Sequence, residues 1–405
     1  MRESRLAGRG LVLLGIGVLA FNLRPAAVSV GPVLDEIRDG LTMSGAEAGV
    51  LTSLPVIAFA VFGAAAPRLA ALLGPHRLTL GSLVAVAVGL WGRSRVDDVP
   101  AFLALSLLGL AGMATANVVL PSLVRRHFPG HVGTVTAVYT SALAVGLALA
   151  SVSTVPISEH SDDGWRTGLV VWAATAAVAV IPWLALVRHD RRVERDAEVV
   201  HPPLGLRDVG RTRLGRMMAA FFAFQSLQAY AIFGWFPAIY RDAGLSGTTA
   251  GLLLGVITGI SIPLGFVVPA LAARMTSVAP IVIVLFACYP VGYVGLILAP
   301  AGGAWVWAVL IGIAIATFPL ILALIGLRAR TPAGTAALSG FTQSVGYLAA
   351  AVGPFAVGVV HDATDGWTLP LVLLLVLALP LLPVGLAVSR PAYVEDELAT
   401  TPRGS

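Results

Sequence analysis

Apolar runs of about 20 residues, the length a helix needs to cross the hydrocarbon core of a bilayer, recur along almost the whole of this chain. They fall near residues 11–37, 46–73, 78–95, 100–123, 133–156 and 167–187, and again near 214–240, 247–273, 279–299, 303–326, 335–360 and 367–389. Backbone polar groups inside lipid must be satisfied within their own segment, so runs of this length fold as membrane helices. Charge content agrees. Only 12% of the 405 residues are charged, about half the ~25% typical of a soluble domain. The first run follows Arg2, Arg5 and Arg9 as a signal peptide would, but it stays apolar to about Ile37 and is read as the first span. The expected fold is an all-α membrane protein of twelve transmembrane helices.

All 26 basic residues are arginine, and their placement sets an orientation. With the N-terminus in the cytoplasm, 20 lie inside and five outside (Arg38, Arg93, Arg95, Arg166 and Arg241), as the positive-inside rule requires. Arg24 belongs to neither side. The pI of 9.9 therefore reflects membrane topology, and no nucleic-acid partner is expected. Both termini are expected in the cytoplasm, and the chain in a bacterial cytoplasmic membrane. Cys288 is the single cysteine and lies in an apolar run, so no intrachain disulfide or thiolate metal site is available. No cofactor and no metal are expected.

The two halves match at a constant offset of 202 residues. Ala48-Gly49 recurs as Ala250-Gly251, Leu69-Ala70-Ala71 as Leu271-Ala272-Ala273, and Asp163-Gly164-Trp165 as Asp365-Gly366-Trp367. A duplicated unit with an even number of spans keeps one orientation in both copies, related by an axis along the membrane normal. The chain thus divides into a six-helix bundle over 1–187, a charged cytoplasmic linker over 188–213, a second bundle over 214–390 and a tail over 391–405. A small-molecule site near mid-membrane, between halves that rock about it, follows from that plan.

Arg24 lies near the centre of the first span. A charge there costs from ~3 to over 10 kcal/mol unless it faces a cavity or the protein interior. The Asp, Glu and His residues all lie in loops or at span ends, so Arg24 has no acidic partner at its own depth. An unpaired planar donor array in a low-dielectric cavity suits a small anion. A structural reading stays open, because Pro25 displaces the carbonyl of Phe21 and Arg24 could bond freed carbonyls. Asn22, Asn117, Tyr139, Gln225, Gln228, Tyr230, Gln343 and Tyr347 are further polar candidates for the site. Arg68, Arg77, Arg125 and Arg328 are candidates for a cytoplasmic gate.

At these residues the chain resembles the major facilitator superfamily, and within it the cyanate and 2-nitroimidazole permeases. The resemblance rests on Asn22-Leu23-Arg24-Pro25 with Val30-Gly31-Pro32, on Leu120-Pro121 with Arg125 and Phe128-Pro129, and on Gly326-Leu327-Arg328-Ala329-Arg330-Thr331-Pro332. Gln343-Ser344-Val345-Gly346-Tyr347-Leu348 and His361-Asp362 with Trp367-Thr368-Leu369-Pro370 extend it. It implies a secondary or facilitative transporter working by alternating access, with cyanate, another small anion or a nitroaromatic as cargo. The superfamily's acidic residue between the second and third spans is replaced here by Ala71. Proton coupling would have to use the substrate or a span-end carboxylate such as Asp35 or Glu36. A drug exporter is the rival within the transporter class. An enzyme or a sensor is disfavoured, since the spans lack the acids and histidines that chemistry in the bilayer would use.

Overall fold

A computed structural model describes residues 2–190 and 206–400, and every regular element among them is helical. Eleven helices are long and apolar enough to cross a membrane: Gly10–Leu41, Gly45–Leu73, Val99–Val124, Thr134–Glu159, Trp165–Val187, Arg213–Asp242, Gly247–Arg274, Ala279–Leu298, Ala304–Leu327, Ala333–Thr364 and Thr368–Ala387. The third of the twelve expected spans is the 19-residue helix Pro75–Arg93, packed against the fourth and sixth. His76, Arg77 and Arg93 at its ends dilute its hydropathy. With it the architecture is two six-helix bundles, and below the spans are numbered first to twelfth in chain order.

Proline decides where these helices break. A proline removes its own N–H and pushes aside the carbonyl four residues earlier. Pro25 displaces Phe21, and the first span stops at Asn22 and restarts at Pro25. Pro319 displaces Ile315, where the tenth span divides into Ala304–Ile315 and Thr317–Leu327. Pro354 displaces Ala350, the last residue of the eleventh span's first part, and the span resumes at Val352. Pro383 does the same at Leu379 in the twelfth, between Thr368–Ala378 and Leu381–Ala387. In the second span Pro67 faces Gly63, the last residue of a π-turn over Phe59–Gly63. Such turns are rare and recur at functional sites.

The repeat is visible as matched packing. Ser44 and Ser246, 202 apart, both cap their helices with the side chain. Thr42 and Gly244, also 202 apart, both adopt positive φ, 51° and 90°. A Cβ on Gly49 would lie 2.9 Å from the carbonyl oxygen of Phe355, and one on Gly251 would lie 2.9 Å from that of Ser151. The second span therefore meets the eleventh as the eighth meets the fifth, each through a glycine that lets backbones touch. Between apolar helices in lipid, such close packing replaces the hydrophobic drive of a water-exposed core.

Of the expected linker, residues 191–205 lie outside the described residues. The short helix Leu206–Arg211 buries Val209 and packs on the eleventh span. The tail is docked through a helix over Val394–Thr400. Glu395 accepts from the backbone N–H groups of Arg330 (3.0 Å) and Thr331 (2.9 Å), Asp396 pairs with Arg330 (2.9 Å), and Glu397 accepts from the N–H of Leu214 (3.1 Å).

Candidate functional site

The break before Pro25 turns Arg24 out of the first helix, and its guanidinium stays only partly covered. It meets the hydroxyl of Tyr230 from the seventh span, and Tyr230 in turn meets Tyr347 from the eleventh. One arginine of the first half thus faces two tyrosines of the second. Phe59, the first residue of the π-turn, stacks on Tyr347 at 4.8 Å, and Phe222 meets the same ring edge-on at 4.8 Å. Phe233 packs against Tyr230 at 5.9 Å. No carboxylate pairs with Arg24 among the described residues. The result is a positive charge with two hydroxyls, walled by aromatic rings, where the halves meet.

Other polar candidates are engaged elsewhere. Asn22 is buried, donates to Val18 O at 2.9 Å and accepts from Thr175 Oγ1 at 2.7 Å. The amide nitrogen bonds within the first span and the oxygen ties that span to the sixth, so both ends of the side chain are engaged in packing. Gln228 is engaged in the same way. It donates to Leu374 O at 2.8 Å and accepts from the Tyr293 hydroxyl, binding the seventh, ninth and twelfth spans together. Gln225 is fully buried, takes a 3.2 Å bond from Ser226, and leaves its Nε2 without a partner. Gln343 donates to Ser339 within its own helix at 2.7 Å. Tyr139 bonds Thr136 in the fifth span, and Asn117 is half-buried in the fourth.

The gate candidates separate in the same way. Arg68 and Arg77 are exposed, while the Arg125 side chain lies outside the described residues. Arg328 is not a free gate charge. It is 5% exposed and donates to Val388 O (3.1 Å) and Ser389 O (2.9 Å), capping the end of the twelfth span. Burial lowers its pKa from the usual arginine value.

Charges that do join the halves lie on the opposite face from the chain's ends, and their pairing across the halves is not read in the sequence. Arg241 grips both oxygens of Glu36 at 2.6 and 2.7 Å and approaches Asp35 at 3.6 Å. Arg38 pairs with Asp362 at 3.2 Å, and the second Asp362 oxygen takes the Gly45 N–H at 2.5 Å. Thr248 donates to Glu159 at 3.1 Å. A carboxylate at the N-terminus of the second span also favours that helix's dipole. The only signal in the sequence was opposite charges at the ends of spans from different halves.

Arg93 departs from its expected place in an outside loop: it is the last residue of the third span and is 0% exposed. Its side chain turns back along the bundle and donates to Ala26 O at 3.3 Å and Ser29 Oγ at 3.1 Å. It lines a narrow cavity with Thr52, Tyr230 and Phe233, whose free volume of about 10 Å³ has room for roughly one water.

A family model described as Major Facilitator Superfamily matches residues 12–354. The uncharacterized transporter YycB of Bacillus subtilis is 36% identical over 95% of this chain and 94% of its own length. The 2-nitroimidazole transporter of Escherichia coli is 33% identical over 96% of this chain and 98% of its own. The cyanate transport protein CynX of the same organism is 27% identical over 88% and 91%. Among solved structures, a bacterial homologue of the human lysosomal transporter Spinster, in an inward-facing and occupied conformation, superposes with a TM-score of 0.79 at 15% identity, covering 96% of this chain and 98% of that one. These relatives are multi-span membrane transporters, the bacterial ones pointing to the inner membrane. The chain belongs to the Major Facilitator Superfamily and is a membrane transporter, not an enzyme.

Proposed function

We propose that this transporter carries a small anion, of the size of cyanate or a simple carboxylate, by alternating access, with Arg24 supplying the charge that holds it. The observation that carries this reading is the Arg24 guanidinium between the halves, in contact with Tyr230 of the opposite half and with no carboxylate among the described residues to neutralise it. Tyr230 and Tyr347 then offer hydroxyl donors that orient the anion, and its arrival compensates a charge that otherwise stands alone. The name of one relative, the cyanate transport protein, supports the same class.

Two six-helix halves, 1–187 and 214–390, rock about this site, joined by the linker 188–213. With both ends of the chain in the cytoplasm, the clasped face is external and this conformation is closed on that side. Proton coupling, on this reading, runs through Asp35 and Glu36, whose ionised forms hold Arg241 and so hold the outer face shut.

A flat nitroaromatic is the second reading. The rings of Phe59, Phe222, Tyr230 and Tyr347 favour it, because aromatic faces and edges bind planar ligands.

Uptake of labelled cyanate into proteoliposomes tests the first reading. Losing one charge-assisted contact of 1.5–3 kcal/mol predicts about a tenfold to hundredfold loss of kcat/KM in Arg24→Ala, with partial recovery in Arg24→Lys. If both variants transport cyanate as the wild type does, at normal expression, Arg24 is not the anion site. Asp35→Asn combined with Glu36→Gln should abolish any response to an imposed pH gradient.

A further inference from the structure

Arg93 does more than its hydrogen bonds explain. The short helix Pro25–Val28 ends before Val30, so the Ala26 carbonyl has no helical donor, and the Arg93 Nη1 takes that place. Ser29 takes Nη2. A clamp for a broken helix would be complete with those two bonds, and a neutral donor would suffice for it. Arg93 instead brings a full positive charge into a position that is 0% exposed, and its Nε has no partner. Among the described residues no acidic side chain pairs with it. A buried charge without a counter-ion is among the least favourable arrangements a protein holds.

Arg93 is not packed solidly on every side. It borders the cavity between the halves together with Thr52 of the second span and Tyr230 of the seventh. Tyr230 is the same side chain that meets Arg24. Two guanidiniums therefore neighbour one tyrosine, Arg24 by contact and Arg93 across the cavity, with Arg93 at the clasped-face end of the third span.

We infer that Arg93 is a second anion-binding residue of this transporter, forming with Tyr230 and Thr52 a station between Arg24 and the clasped face. The inference rests on the anion reading of Arg24 and deepens it. The cavity holds about one water in this closed arrangement, so the station is occupied when the clasped face parts and the cavity widens. The cargo class it selects is a compact monoanion such as cyanate or formate. Passage from one guanidinium to the next keeps the anion's charge compensated throughout.

The test is ligand-dependent thermal stability of purified protein, titrated with sodium cyanate and with sodium formate. Ionic strength is held constant with gluconate. Four proteins are compared: wild type, Arg24→Ala, Arg93→Gln and Arg93→Lys. The half-maximal anion concentration should rise at least tenfold in Arg93→Gln, and less in Arg93→Lys, which keeps the charge. A residue that only clamps the helix break would lower the melting temperature of both variants without moving that concentration. Wild-type stabilisation with an unchanged half-maximal concentration in a folded Arg93→Gln protein overturns the inference and leaves the Arg24 reading intact. No stabilisation of the wild type by either anion removes the Arg24 reading itself, and the inference with it. If Arg93→Gln does not fold, Arg93→Lys is read in its place. Failure of both to fold assigns Arg93 to the helix break and also overturns the inference.

Discussion

Thr42 ends the first span in the left-handed region, with φ 51°, and its side chain is exposed. A Cβ at that φ costs roughly 1 kcal/mol, and its partner in the repeat, Gly244, avoids the cost. Thr42→Gly should therefore stabilise the protein by about 0.5 kcal/mol, the gain being reduced by the freer unfolded chain. A rise in melting temperature with unchanged uptake is the expected result. Asn22 and Gln228 lie at the other extreme. Interhelical hydrogen bonds in membranes contribute about 0.6 kcal/mol on average and up to 1.7, so Asn22→Ala and Gln228→Leu should each lower stability by roughly that much. Their KM for substrate should stay unchanged, and a raised KM would return them to the binding site. These two were read as site candidates because sequence shows only that an amide lies in an apolar span. Which neighbour it meets is decided by how the helices pack. Arg93 was misread for the opposite reason. Its position beside Asp97 and Asp98 suggests a loop, and nothing local says that a long side chain runs back toward Ala26.

Elements show what proline does and does not dictate. Span positions were legible to within a few residues, because lipid thickness sets their length. The breaks were less so. Pro25, Pro319, Pro354 and Pro383 interrupt their helices, whereas Pro121, Pro156 and Pro237 lie inside continuous ones. The same residue type has two outcomes, and neighbouring helices choose between them by how they satisfy the freed carbonyl. The tail helix Val394–Thr400 carries a pH prediction. Burial alone would raise the Glu395 pKa, but the N–H groups of Arg330 and Thr331 outweigh burial and hold it below the ordinary 4.5. A depressed carboxyl stabilises the docked form above that value and loses its contribution as pH falls through the folded-state value. A spin label at Leu398→Cys, in a Cys288→Ser background, should stay immobile at neutral pH and gain motion in acid well below pH 4.5. Glu395→Gln should mobilise it already at neutral pH.

At the scale of the whole molecule the repeat was the firmest inference from sequence, and the two-bundle fold agrees with it. Equal spacing of a few short matches is preserved because equivalent close approaches, Gly49 on Phe355 and Gly251 on Ser151, tolerate no larger residue. Gly49→Val should therefore keep the second and eleventh spans from meeting. Spin labels on the outer ends of those spans should report longer distances, with transport lost. The inter-half clasp was not legible, since Arg38, Asp362, Glu36 and Arg241 are far apart in the chain and look like ordinary loop charges. Asp362→Asn removes the Arg38 pair and weakens the Gly45 contact. A partly exposed pair of this kind contributes about 1 kcal/mol or less, so the population with that face parted should grow about threefold to fivefold, read as a new long-distance component between the same labels.

The clasp is also made of side chains 22–35% exposed, so dissolved ions reach it. The screening length shrinks from about 8 Å at 0.15 M to 3 Å at 1 M. Salinity on one side of the membrane thereby becomes an input to the transport cycle. Brine bathing the clasped face, with the other side unchanged, should loosen the fastening and change how often the carrier turns over, without any change in its affinity for cargo.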